Sequence, residues 1–164
     1  ACLKGIAYLQ QQEQPPEIVV FMDGDYADDA RDMEALINPL HNGSDMVIGS
    51  RATGERESGS LTIPQRFGNW LATTLIRLLY KVPFTDLGPF RAIKFDKLLA
   101  LQMQDTTYGW TAEMQVKAAK MGYVCSEVPV RYRKRIGTSK VSGTVKGTVM
   151  AGYKILYTIF KYTR

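Results

Sequence analysis

The stretch Glu17-Ile18-Val19-Val20-Phe21-Met22-Asp23-Gly24-Asp25 sets the reading of this chain. Residues 17–22 are short, apolar and rich in β-branched side chains, the signature of a buried parallel strand. Two carboxylates, Asp23 and Asp25, follow where that strand should end. In open α/β sheets, ligands collect at the carboxyl ends of the strands. Acids one residue apart repel each other unless a cation joins them. A hard divalent ion that keeps waters and takes oxygens from a bound diphosphate suits such a pair. A short acidic turn without a metal is the plain alternative.

Working outward, strands and helices alternate. Residues 1–12 read as a helix ended by Pro15-Pro16, and Asp29 to Leu40 as a helix with acids in its first turn and Asn42-Gly43 as its stop. Residues 45–49 are a second strand. The polar, glycine-rich stretch 51–62 reads as a mobile loop. Pro64 suits a helix start, and Gln65 to Tyr80 is strongly apolar. Thr85 to Phe95 is a loop feeding a short strand. Residues 96–103 and 110–120 are helices, and 123–130 is a strand running into a basic segment. This order predicts an α/β layered fold with parallel strand pairs.

The composition narrows the chemistry. A chain of 164 residues, 45% hydrophobic, is one domain with ample core. Its one histidine, His41, sits beside Asn42-Gly43 at a helix end, which disfavours a histidine triad or zinc site. Cys2 and Cys125 are far apart and form neither a metal motif nor a disulfide framework. No run of about 18 apolar residues exists, and no signal peptide is visible. The net charge of +5 is unevenly placed: acids crowd residues 23–34, and none follows Glu127, after which nine Lys and Arg appear. An acidic site and a basic tail on one chain suggest a metal centre and an anionic partner.

Residues 141–164 form a basic amphipathic helix distinct from 1–140. At about 100° per residue, Val141, Val145, Val149, Ile155, Leu156, Ile159 and Phe160 share one broad face, with Lys140, Lys146, Lys154 and Lys161 on the other. It either packs on its own sheet or lies in the headgroup region of an anionic membrane.

Four segments at strand ends could carry chemistry. Asp23-Gly24-Asp25 is the first. In Gly49-Ser50-Arg51, the arginine could grip a phosphate in two places or be a solvated loop residue. In Thr85-Asp86-Leu87-Gly88-Pro89-Phe90-Arg91, Gly-Pro sets a turn between an acid and a base. The cations and hydroxyls of Arg131-Tyr132-Arg133-Lys134-Arg135-Ile136-Gly137-Thr138-Ser139-Lys140 fit an anion-binding loop or a generic basic patch.

Together with Arg66, Asn69 and Trp110-Thr111-Ala112-Glu113, these segments resemble the family-2 glycosyltransferases, most closely the polyprenyl-phosphate group that includes dolichyl-phosphate mannose and glucose synthases. The resemblance covers nearly the whole chain. It implies a GT-A fold, here without its N-terminal part, and inverting transfer of a sugar from a nucleotide-sugar to a lipid phosphate. By that resemblance Asp23 and Asp25 hold Mg²⁺ or Mn²⁺, with Gly24, Arg51 and Arg66 toward the donor phosphates. Asp86 and Arg91 line the reaction centre. Arg131, Arg135, Ser139 and Lys140 face the acceptor phosphate. The resemblance further implies a cytoplasmic protein, peripheral at the inner membrane face, with no nucleic-acid partner; a homo-oligomer stays open.

Three departures stand out. The nucleobase-binding Asn-Glu motif and its accompanying turn are missing, so the stretch alone is expected to be inactive. Ala27 stands where a glutamine would help hold the metal. Gly88-Pro89 replaces the usual Ser-Gly. Two other enzymes share a motif: Asp28-Asp29-Ala30-Arg31-Asp32 has isoprenoid-synthase spacing, but that chemistry needs an all-helical bundle, and aspartyl phosphatases place Asp-x-Asp on their first strand. A non-enzymatic membrane- or RNA-binding module, with Tyr132, Tyr153, Tyr157 and Tyr162 among the cations, is the remaining alternative.

Overall fold

The computed structural model describes residues 1–137 and 144–163. Four strands form one sheet in the order β1-β3-β2-β4, with β1 Ile18–Phe21, β2 Met46–Ser50, β3 Arg91–Lys94 and β4 Cys125–Pro129. β2 and β4 run parallel, whereas β3 is antiparallel to both β1 and β2. The helices are α1 Cys2–Gln10, α2 Met33–His41, α3 Ile63–Tyr80, α4 Phe95–Ala100, α5 Trp110–Lys120 and α6 Val145–Lys161.

Strand periodicity builds two cores. Met46, Ile48 and Ile93 point to the face covered by α3, α5 and α6, while the alternate residues Val47 and Ala92 meet Leu36 and Leu40 of α2 on the other. A three-layer α/β sandwich results; the layering is as the alternation of elements predicts, but where parallel pairs were expected only β2–β4 among the described strand pairs is parallel.

The first strand differs from its sequence reading. β1 is antiparallel to its neighbour, and its four residues are half-buried rather than buried. It ends the sheet, and β3 is its only partner strand among the described residues. An apolar run reports burial on its faces, not the direction of the chain beside it.

Helix ends follow local chemistry. The Asp29 side chain accepts the Arg31 N–H, so the segment opens as a 3₁₀ turn at Ala30–Asp32, and α2 begins only at Met33. α3 starts at Ile63 because Thr62 and Gln65 form a reciprocal capping box. The expected 96–103 helix is the shorter α4. α6 divides its expected apolar face. Ile159 is fully buried in the core, and Tyr80 Oη donates to the Ile159 carbonyl at 2.5 Å. Val145, Val149 and Phe160 face outward. Residue 141 lies outside the described residues. No described helix is long and apolar enough to cross a membrane.

Candidate functional site

The topology gathers the motifs. β1, β2 and β4 leave the sheet at the edge where antiparallel β3 enters. That edge therefore collects Asp23-Gly24-Asp25, Arg51, Asp86–Arg91 and the segment from Arg131 onward.

Arg51 and Asp86 form the centre. The Arg51 Nε and Nη2 donate to the two Asp86 oxygens at 2.8 and 2.7 Å, and its backbone N–H adds a third bond at 2.7 Å. Their side chains are only 13% and 2% exposed. Burial works against the Arg51 cation, but the Asp86 contacts outweigh it and hold the guanidinium protonated above its usual range. The guanidinium also lies 5.0 Å over the Tyr132 ring. A Cβ on Gly88 would come within 3.2 Å of Arg51 Nε, so the bare glycine lets the loop pass close to the pair.

The Asp86 loop is pinned from three elements. Glu127 on β4 accepts from the Thr85 N–H and hydroxyl and from the Asp86 N–H at 2.7–3.2 Å. Asn69 on α3 donates to the Thr85 carbonyl and accepts the Leu87 N–H. Gln115 on α5 donates to the Asp86 carbonyl at 2.9 Å. Arg91, expected at the reaction centre, is fully buried. It donates to the Gly88 and Thr111 carbonyls and to Gln115, and burial pushes its pKa down to about 10. Its contacts hold the loop from beneath.

The acidic turn is tight. Tyr26 adopts a left-handed φ of 72°, and Asp25 Oδ1 accepts the Ala27 N–H at 3.0 Å. Gly24 faces open space. Asp23 is exposed at the surface, yet the surrounding chain desolvates its carboxyl; this and the nearby Asp25 raise its pKa. Asp28 is 6% exposed, and burial pushes its pKa up to about 6.

The basic segment lies across this turn. Arg133 N–H donates to the Ala27 carbonyl and Ile136 N–H to the Asp25 carbonyl, at 2.8 and 2.9 Å. Its cations meet the acids in register: Arg135 with Asp25 at 2.9 Å, Arg133 with Asp29, and Arg131 with Asp32. The run is not a bare cationic stripe. Ser139 and Lys140 lie outside the described residues. The 51–62 stretch is held from the other side, where Tyr132 N–H donates to the Glu55 carbonyl and Glu57 N–H to the Tyr132 carbonyl, both at 2.9 Å.

Arg66 stands apart from the acidic turn. It lines a cleft of about 470 Å³ with Arg56, Arg77, Trp70, Asn69 and Asp86. Glu113 is elsewhere, a buried knot that accepts from Lys117, Tyr162 and two backbone N–H groups.

Asp23 and Asp25 offer the hard oxygens that Mg²⁺ or Mn²⁺ prefers, and Asp28 Oδ1 beside them is buried without a partner among the described residues. No three such side chains among the described residues stand close enough to cage an ion by themselves. The fit is to an ion that draws its other oxygens from waters and a diphosphate. Glu127 and Asp28 were not among the expected site residues. A lone acid inside a strand, and a third acid just past the pair, are the signals that mark them.

Over 137 residues the chain is 34% identical to an uncharacterized glycosyltransferase of Mycobacterium tuberculosis, covering 82% of this chain and 61% of that protein. It is also 30% identical over 129 residues to a dolichyl-phosphate hexose transferase of Haloferax volcanii, covering 75% and 54%. The chain is a glycosyltransferase homologue. An undecaprenyl-phosphate mannosyltransferase of Micrococcus luteus matches this homologue at 26% identity over 140 residues, covering 82% and 57%. The chain spans less than two thirds of each relative's length. No protein-family model matches the sequence. Among solved structures, glucosyl-3-phosphoglycerate synthase of Mycobacterium tuberculosis, in complex with phosphoglyceric acid, superposes with a TM-score of 0.65 at 16% identity, over 95% of this chain and 52% of that one. That likeness shows the fold, the GT-A arrangement expected from sequence.

Proposed function

We infer that this chain carries the catalytic core of an inverting, metal-assisted glycosyltransferase that moves a sugar from a nucleotide-sugar to a polyprenyl phosphate. The observation that carries this reading is the convergence at one sheet edge of the Asp23–Asp25 turn, the buried Arg51–Asp86 pair and the arginine-lined cleft. Relatives named for undecaprenyl-phosphate and dolichyl-phosphate transfer support the acceptor class.

Asp23 and Asp25 would hold Mg²⁺ or Mn²⁺, which supplies neutralisation of the charge that builds on the departing diphosphate. Asp86 is fixed by Arg51 at both oxygens, which suits a stationary negative group beside an oxocarbenium-like sugar better than a proton acceptor. A phosphate acceptor is already an anion, so little base catalysis is required. Arg56, Arg66 and Arg77 give the cleft its anion-binding character. Exposed Ile63, Phe67, Trp70 and Leu78 on α3 offer an apolar path for a lipid chain. The outward apolar residues of α6, with Lys146 and Lys161, suit attachment to the cytoplasmic face of an anionic membrane.

The test is transfer by the full-length protein to a polyprenyl phosphate in detergent. Asp23→Ala or Asp25→Ala should lower turnover by about 100-fold or more while the chain stays folded. Activity retained in either folded variant would overturn the assignment.

A further inference from the structure

Among the described residues, Asp28 is the one buried acid at this edge left incompletely satisfied. Asp29, Asp32 and Asp86 are each met by arginines, and Glu127 accepts from Thr85 and Asp86. Asp28 is 6% exposed; its Oδ2 accepts only a long bond of 3.4 Å from the Asp23 N–H, and its Oδ1 has no partner among the described residues. A buried carboxylate oxygen without a partner costs on the order of 1–3 kcal/mol or more, so such atoms are rare unless an ion, water or ligand meets them.

Its surroundings select among those partners. The Oδ2 contact folds the Asp28 carboxyl back against the start of the acidic turn, with Asp23 and Asp25 as negative neighbours and the Arg51 cation, itself held by Asp86, as a positive one. Ala27, between Asp25 and Asp28, is buried and brings no side-chain donor. The segment from Arg131 crosses above, where Asp28 and Tyr132 form an isolated bridge, so bulk water is largely shut out. Carboxylates this near along one turn favour a cation between them. Arg135 meets Asp25 there, but among the described residues no cation contacts Asp28 Oδ1.

We propose that Asp28 is a third carboxylate donor to the divalent cation of the Asp23–Asp25 turn, acting through one bound water. This rests on the metal reading above and assigns the ion a ligand outside the Asp-x-Asp pair.

The experiment counts free Mn²⁺ by its electron paramagnetic resonance signal against the full-length protein, with saturating UDP and then GDP. Parent, Asp25→Asn and Asp28→Asn are compared after thermal melts in chelator verify their folds. The expected result is Mn²⁺ binding by the parent, weakened at least about tenfold in Asp28→Asn. Parent-like binding by Asp28→Asn, with loss in Asp25→Asn, would overturn the third-donor assignment and leave the two-acid site standing. Absence of Mn²⁺ binding by the parent would overturn both. If Asp28→Asn does not fold, Asp28→Glu keeps the charge but shifts the oxygens by one methylene. Weakened binding then supports the assignment, and unchanged binding overturns it.

Discussion

Arg51 and Asp86 come from loops 35 residues apart and are nearly sealed from water. Removing one member of such a pair leaves the other charge buried and uncompensated. Arg51→Ala should therefore cost about 3–5 kcal/mol in urea unfolding. Arg51→Lys should recover only part of that, because an ammonium cannot reproduce the two-pronged grip. If Arg51→Ala unfolds at the same urea concentration as the parent, the pair is not a structural element. Both residues were legible from sequence as site residues, since each follows or precedes a strand in a motif. Their mutual satisfaction was not, because it depends on two loops meeting at the mouth of the sheet. The same limit applies to Arg91. Its cation reads as chemistry in a linear motif, and only the fold shows it enclosed against three carbonyl and amide oxygens.

Among elements, the 51–62 stretch passes close against the chain just beyond β4. A Cβ on Gly54 would lie 2.1 Å from the Val130 carbonyl oxygen and 2.5 Å from its nitrogen. Backbone cannot yield as a side chain can, so Gly54→Ala should push this stretch away from Tyr132. The expected loss is about 1–3 kcal/mol by chemical denaturation, with faster amide exchange at Tyr132 and Glu57. Unchanged exchange would show that the stretch tolerates the methyl. Sequence reading made this a mobile loop from its glycines and polar residues, but one of those glycines is there for close approach. The helices α3 and α5 were both legible, α3 from Pro64 and the apolar run behind it. β1 was legible as a strand but not in its direction, which β3 supplies from some 70 residues downstream.

Across the molecule, the acids of residues 25–32 and the arginines of 131–135 close over one another. Arg31 and Arg133 hold the Asp29 carboxyl well below the usual carboxylate range. A group with a lowered folded pKa stabilises fully above its unfolded value, about 3.9 for aspartate, and loses that contribution as pH falls toward the folded value. Asp29→Asn should thus be less stable than the parent by a constant margin from pH 5 to 8. Below about pH 4 the margin should shrink, as urea midpoints at stepped pH would show. A margin that persists unchanged into strong acid would place the effect in packing rather than charge. Sequence composition made the two charge blocks plain, but not that they neutralise each other. That pairing also has a kinetic side. Asp32 and Arg131 are 99 residues apart in the chain, and Asp29 and Arg133 are 104 apart. Contacts of such separation form late, after nearer pairings have paid the entropy of closing the chain. The turn that would receive the ion therefore gains its basic cover only when nearly everything else is in place, so a nascent or half-folded chain would offer uncovered carboxylates rather than a closed pocket.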